Sequence, residues 1–223
     1  MTRFPILLTN DDGINSPGLQ DLASSLHSLG HPIAILAPLT EQSAVGMKLT
    51  LRDDMAFEEH TDIAEKIRTD ESAPLRAFSL DGSPCDCVIV AIDGGLRSWA
   101  PEIRPWLCIS GINRGPNLSV DVLHSGTVSA AREASLYGLP SLSVSLATYS
   151  HQDYSQSIEA TLALVERLSE LVTVEPSNIL RPEGSRTRPI EGTGPNSLRS
   201  WFMQGNMFLN LNIPENWNGT FQT

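Results

Sequence analysis

A chain of 223 residues with 40% hydrophobic content can bury one sizeable core but hardly two independent ones. Its formal net charge of −11 argues against nucleic-acid polymers and anionic membranes as partners, since both are bound through basic patches. No stretch approaches the roughly 18 uninterrupted apolar residues of a membrane span, and the amino terminus carries no basic region followed by an apolar run, so the expectation is a soluble, cytoplasmic protein.

In chain order, residues 4–8 are an apolar run and Ile6–Thr9 reads as a buried strand. Asn10, Asp11, Asp12 and Gly13 follow directly, ahead of a helix start at Ser16 and Pro17. Leu19, Leu22, Leu26 and Leu29 recur at helical spacing, so the helix is read over 17–29, with Ser16 as cap and Gly30 as stop. Asp-Asp-Gly is ordinary turn chemistry and an Asp before a helix is an ordinary cap. A cap needs only one short polar residue, however, and this turn holds Asn10, Asp11, Asp12, Asn15 and Ser16 within seven positions. Two adjacent carboxylates at the carboxyl end of a strand offer the hard oxygens that Mg²⁺ or Mn²⁺ takes from a protein.

Residues 32–37 read as a second strand. A polar segment over 39–48 and a short strand-like stretch at 49–51 follow. From 52 to 77 the charge is high and the periodicity poor, which suggests a surface excursion or a small edge subdomain, with regular structure resuming at Phe78. Ser83 and Pro84 open a helix that should stop at Gly94 and Gly95. Cys85, Cys87 and Cys108 sit in apolar segments and suit reduced core thiols; Cys-Asp-Cys has no second metal-spaced pair, which argues against zinc.

Residues 106–110 read as a strand, 111–126 as a glycine- and asparagine-rich loop, 127–137 as a small-residue helix and 141–146 as another strand. A last long helix places Ile158, Leu162, Val165 and Leu168 on one face. Ser125, Gly126 and Thr127 form a helix start whose free amides and dipole favour an anion, although a plain serine cap explains the same residues. Asn113 and Asn117 can each donate or accept. Residues 175–204 show no period, whereas 207–213 regains strand alternation through Met207, Leu209, Leu211 and Ile213.

Strands alternating with helices imply a doubly wound, mostly parallel, Rossmann-like α/β sheet with a short C-terminal extension. The expected organisation is a catalytic α/β domain over 1–174, a flexible insertion over 175–206, and a strand and tail over 207–223 that complete the domain or an oligomer contact. The three polar loops at strand ends, 10–16, 40–48 and 111–126, should meet in space.

Four ordered segments carry a resemblance. ILLTNDDGINSPG (6–18), APLTEQSAVGMKLTL (37–51), LDGSPCDCVIVA (80–91) and SGINRGPNLSVDVLHSGTVSAAREASLYGLPSLSVSL (110–146) are similar to the motifs of the SurE survival-protein family of metal-dependent 5′-nucleotidases. The resemblance implies one divalent ion per subunit, Mg or Mn, held by Asp11, Asp12, Ser43 and the amide oxygen of Asn113. It also implies a phosphate received by Ser125, Gly126 and Thr127, a pocket oriented by Asn10 and Asn117, and a nucleoside 5′-monophosphate as substrate. By the same resemblance Asp11 and Asp12 would be the catalytic residues. The implied reaction is phosphomonoester hydrolysis, with direct attack by water preferred and Asp11 as nucleophile left open.

His124 reads as a loop histidine before it reads as a general acid. Arg132 and Ser135 stand where the family pattern leads one to expect an apolar residue and a glycine. A haloacid-dehalogenase-like phosphatase needs Asp-x-Asp, which the adjacent pair does not supply. A nucleotide-binding module without catalysis would need a Gly-x-Gly-x-x-Gly turn, and only Gly13 is present. Hydrolysis mainly of polyphosphate or another small phosphate ester stays open beside the nucleotidase reading. The strand at 207–213, with aromatics Trp201, Phe202 and Trp217 expected at the surface, suggests a homodimer or higher homo-oligomer.

Overall fold

In the computed structural model, which describes residues 3–172 and 198–222, the apolar run after Phe4 forms strand β1 (Ile6–Thr9). Ile6 and Leu8 enter one hydrophobic core and Leu7 the other, because successive strand side chains point to opposite faces. The same alternation holds in β2 (Ile33–Pro38), where Ile33 and Ile35 face one core and Ala34 and Leu36 the other. Strands apolar at every position are what a sheet covered on both faces requires.

The remaining strands are β3 (Phe57–Glu59), β4 (Leu75–Leu80), β5 (Leu107–Arg114), β6 (Ser141–Leu146) and β7 (Leu209–Ile213), giving one seven-stranded sheet in the order β3-β4-β2-β1-β5-β6-β7. Every pairing is parallel except β3 with β4. Helices α1 (Pro17–Ser28), α2 (Thr61–Ile67) and α7 (Ser155–Ser169) supply Leu22, Ile63 and Val165 to one core. Helices α3 (Pro84–Val90) and α6 (Gly126–Leu136) supply Val88 and Ala130 to the other. The doubly wound α/β architecture read from the sequence is the observed one. β1 lies between β2 and β5, so the chain leaves it toward β2 on one side and later returns to β5 on the other. Ligands gather at the carboxyl ends of strands at such a reversal.

Several boundaries differ from the sequence reading. Residues 49–51 are not a strand. The Lys48 carbonyl accepts from Ser83 Oγ at 2.6 Å, and Thr50 donates from its amide (3.0 Å) and Oγ1 (2.8 Å) to Asp86, so side chains satisfy this backbone in place of a neighbouring strand. Ser83 and Asp86 also form a reciprocal capping box on α3, a device worth about 1 kcal/mol. The supposed excursion at 52–77 contains β3, α2 and the start of β4. Its apolar residues Ile63, Ile67 and Leu75 are too widely spaced for a period to show, yet all are buried. The helix expected to stop at Gly94 and Gly95 kinks there and continues as α4 (Leu96–Trp99), with Asp93 and Gly94 outside helical geometry.

β5 runs on through Arg114, across a register shift between Ser110 and Asn113, where a loop was expected to begin at Gly111. The four-residue helix α5 (Asp121–His124) precedes α6. On α7, Val165 and Leu168 are buried, and Ile158 and Leu162 are partly buried against the same core. Within the expected insertion at 175–206, residues 175–197 lie outside those described; Leu198–Met203 forms helix α8 and buries Phe202 (4% exposed), which is therefore not a surface aromatic. Trp201 is exposed, and Trp217 is half-buried against Phe221. All three cysteines are buried and free, with burial pushing the Cys85 and Cys108 thiols up to about 12.

Candidate active site

The turn after β1 is shaped by Asn10. Its Oδ1 accepts from the Gly13 amide and its Nδ2 donates to the Gly13 carbonyl, both at 3.1 Å, so the buried amide staples the turn shut. Gln42 N donates to the Asp11 carbonyl at 2.7 Å and Ile14 N to the Pro38 carbonyl at 2.9 Å, which ties the loop after β2 to the same turn.

Asp11 points inward. It is 4% exposed, and its Oδ1 accepts from Thr127 Oγ1, while the backbone amides of Gly126 and Thr127 also bond to it. Burial raises its pKa, and these hydrogen bonds pull in the opposite direction. The amino terminus of α6 therefore faces a carboxylate of the protein itself. A Cβ on Gly126 would stand 2.8 Å from Asp11 Cβ and 3.1 Å from Pro84 Cγ, so only glycine lets the helix end come this close. Ser125, the cap, spends its Oγ on the Val128 amide at 3.1 Å.

Asp12 points the other way, into an open cavity of about 370 Å³ lined also by Glu41, Ser43, Asn113, Arg114, Tyr149 and Tyr154. Its Oδ2 is buried and has no hydrogen-bond partner among the described residues. Burial first, then the charges of Asp11 and Glu41, raise its pKa to about 6 against the opposing effect of Arg114. Ser43 Oγ donates to Glu41 Oε1 at 2.7 Å. Beside it, Ala44 adopts a φ of +56°, an uncommon conformation for a residue with a Cβ. Asn113 donates Nδ2 to the Gly115 carbonyl at 2.8 Å, a bond that does not use its Oδ1.

The structure thus gathers Asp12, Ser43 and Asn113 in one cavity wall with Asp11 directly behind, from loops the sequence placed at the same sheet edge. Asn117 lies elsewhere. Its amide donates to Asn212 Oδ1 (2.8 Å), its Nδ2 to Ser145 Oγ (2.9 Å), and its carbonyl accepts from Asn210 Nδ2 (2.9 Å), so it fastens the loop after β5 to β7. His124 is exposed and is not among the cavity's lining residues; its carbonyl accepts from Gly46 N at 2.8 Å. Sequence reasoning missed Glu41, Arg114, Tyr149 and Tyr154. Glu41 and Arg114 each neighbour a named motif residue, but the two tyrosines reach the cavity from beyond β6, and only the fold brings them there.

Among the described residues no cluster of three or more His, Cys, Asp or Glu side chains is arranged to hold a metal. The set suggested by the sequence has two carboxylates and two neutral oxygens, all hard donors, and the unpartnered buried oxygen of Asp12 is the kind of group a cation would satisfy. The residues fit a divalent ion.

A family model described as survival protein SurE matches residues 6–223. Among curated relatives, a 5′-nucleotidase SurE of Syntrophotalea carbinolica is 43% identical over 167 residues, covering 74% of this chain and 59% of its own length. One from Synechococcus sp. (strain JA-3-3Ab) is 42% identical over 165 residues, with the same two coverages. The chain therefore spans under two thirds of the length of the curated relatives it matches. The crystal structure of a SurE protein from Aquifex aeolicus superposes with a TM-score of 0.64 at 29% identity, covering 95% of this chain and 66% of that one.

Proposed function

Because the chain belongs to the survival protein SurE family, we propose that it is a divalent-metal-dependent phosphomonoesterase that hydrolyses nucleoside 5′-monophosphates to nucleoside and phosphate. The observation that carries this reading is Asp12 Oδ2, a buried carboxylate oxygen without a partner, in a cavity that also presents Ser43 and Asn113. Asp11, Asp12, Ser43 and Asn113 would hold the ion, either Mg²⁺ or Mn²⁺. When bound, such an ion neutralises phosphoryl charge and lowers the pKa of water.

The protein's own groups supply the rest. Asp12 and Glu41 make the cavity anionic, and Arg114 is its cationic lining residue; a phosphate dianion entering it meets repulsion unless a cation offsets the carboxylates. Arg114 is the group placed to steer and hold a phosphoryl oxygen. Thr127 and the amides of Gly126 and Thr127 fix the Asp11 carboxylate in one orientation, which preorganises the ligand set at no cost during the reaction. With its Oδ1 engaged in this way Asp11 is poorly free to attack phosphorus, which favours water as nucleophile.

Phosphate release from a nucleoside 5′-monophosphate should require added Mg²⁺ or Mn²⁺ and cease with a chelator. Full turnover after exhaustive chelation would remove the metal from the reading. A panel including short polyphosphate and sugar phosphates tests the substrate class: dominance of a nonnucleotide ester by orders of magnitude would replace the nucleotidase assignment.

We further propose that the chain assembles as a homodimer through the surface near β7 and α8. Here β7 is an edge strand among the described residues, and Trp201 and Leu198 are exposed. Light scattering at micromolar concentration should give twice the monomer mass; a stable monomer overturns the assembly.

A further inference from the structure

The cavity lining combines two chemistries: the oxygens of Asp12, Ser43 and Asn113, and the aromatic side chains of Tyr149 and Tyr154. Tyr154 is buried and belongs to the core beneath α7, whereas Tyr149 is 67% exposed although it lines the same cavity. An aromatic ring left in solvent gains nothing for folding. A loop aromatic with no further task would be free to swing away.

The backbone that carries Tyr149 is instead tied down on both sides of it. Arg114 Nη2 donates to its carbonyl at 3.2 Å. On either side of it in sequence, Thr148 and Ser150 donate their hydroxyls to Glu215 from the segment after β7. Its ring lies directly over Gly115: a Cβ built there would fall 2.2 Å from Tyr149 Cε1 and 2.4 Å from Cζ, so any side chain at 115 would displace the ring. An exposed aromatic face, fixed beside a pocket for a phosphate ester, suits the planar group such an ester carries.

We propose that Tyr149 is the specificity-determining residue for the nucleobase, presenting its ring as a stacking platform while the phosphate lies toward Asp12 and Arg114. This rests on the nucleotidase reading above and names the part of the substrate that the reading leaves open. Stacking on an aromatic face is tolerant of base identity, so the site should accept purines and pyrimidines and prefer the larger purine surface.

The test compares wild type, Tyr149→Ala and Tyr149→Phe on adenosine 5′-monophosphate and on ribose 5-phosphate, which lacks the base. In Tyr149→Ala the ratio of KM for the nucleotide to KM for the sugar phosphate should rise about tenfold or more. In Tyr149→Phe, which keeps the ring, the ratio should stay within about twofold of wild type. Calorimetric binding of adenosine to the three proteins gives a readout that needs no turnover and should show the same order. A ratio and an adenosine affinity both unmoved in Tyr149→Ala would overturn the platform while leaving the phosphatase reading intact. Absent hydrolysis in wild type, with adenosine binding that still depends on the ring, would remove the phosphatase reading and keep the platform.

Discussion

Asp11 and Asp12 are neighbours in sequence, yet the molecule treats them in opposite ways. On the inner side, Asp11 is buried and bonded to the Thr127 hydroxyl and to the two amides that open α6. On the outer side, Asp12 ends at a buried oxygen with no partner, among Glu41, Ser43 and Asn113. A satisfied carboxylate holds structure together, whereas an unsatisfied one costs stability and persists where another function needs it. The bend after β1 therefore sets an anchored carboxylate and a cavity-facing one on two consecutive residues.

Isosteric substitution breaks this comparison most directly. Asp11→Asn and Asp12→Asn should each reduce metal-dependent phosphatase activity by on the order of 100-fold or more, since each removes a charged ligand from the proposed set. Their effects on stability should diverge. Asp11→Asn loses charge-assisted hydrogen bonds inside the protein and should cost about 1–3 kcal/mol in chemical denaturation. Asp12→Asn removes a charge that burial and the neighbouring Asp11 and Glu41 disfavour, and should leave metal-free stability at neutral pH unchanged or raised. Equal destabilisation by both would show that the two sides do not differ.

The next largest effect tests the inner side from the helix. In Gly126→Ala the new Cβ, 2.8 Å from Asp11 Cβ and 3.1 Å from Pro84 Cγ, must push the turn or the helix end aside. The strain should cost about 1–3 kcal/mol. Displacing Asp11 by a fraction of an ångström should lower kcat by roughly 10- to 100-fold. A variant with wild-type denaturation midpoint and kcat would mean that the close approach of α6 carries no catalytic consequence.

The outer side was the more legible in the sequence. Asp12 and Ser43 follow strands, and Asn113 lies near the end of one, whose apolar runs are unmistakable, and parallel topology then brings them to one sheet edge. The inner side was harder to read. Asn10, Ser125, Gly126 and Thr127 look from their types like phosphate ligands, and that the Thr127 hydroxyl and the amides of Gly126 and Thr127 also bond to the Asp11 carboxylate is visible only in the fold. Nothing in residue type distinguishes an anion on a substrate from one on the protein. Asn117 is similar, because its partners Asn210 and Asn212 lie more than ninety positions away. The stretch 52–77 was illegible because its burial is sparse: one short helix contributes Ile63, Ala64 and Ile67, and the paired part of β4 begins with an Arg at its second position.

The smallest effect is one of pH. The Asp12 carboxyl is raised from 3.8 to about 6, so the folded state binds its proton more tightly than the unfolded chain does. Its protonation stabilises the fold fully below about pH 3.8 and progressively less as pH rises through about 6. Carboxyls such as Asp70 and Glu215, lowered by hydrogen bonds to Ser72 and to Ser150 respectively, act with the opposite sign, so the wild-type profile alone would mix the two. The difference between wild type and Asp12→Asn reports the group together with its coupling to Asp11 and Glu41, while distant carboxyls such as Asp70 and Glu215 cancel. In chelator, the two proteins should have nearly equal denaturation midpoints at pH 4, and the variant should become the more stable as pH passes 6. Saturating Mg²⁺ should reverse that difference above pH 6 by binding the ionised wild-type carboxylate, because a ligand that binds only the folded state stabilises it by mass action. A difference independent of pH in chelator would mean that Asp12 is neither unpaired nor destabilising, and the contrast with Asp11 would fail at its outer half.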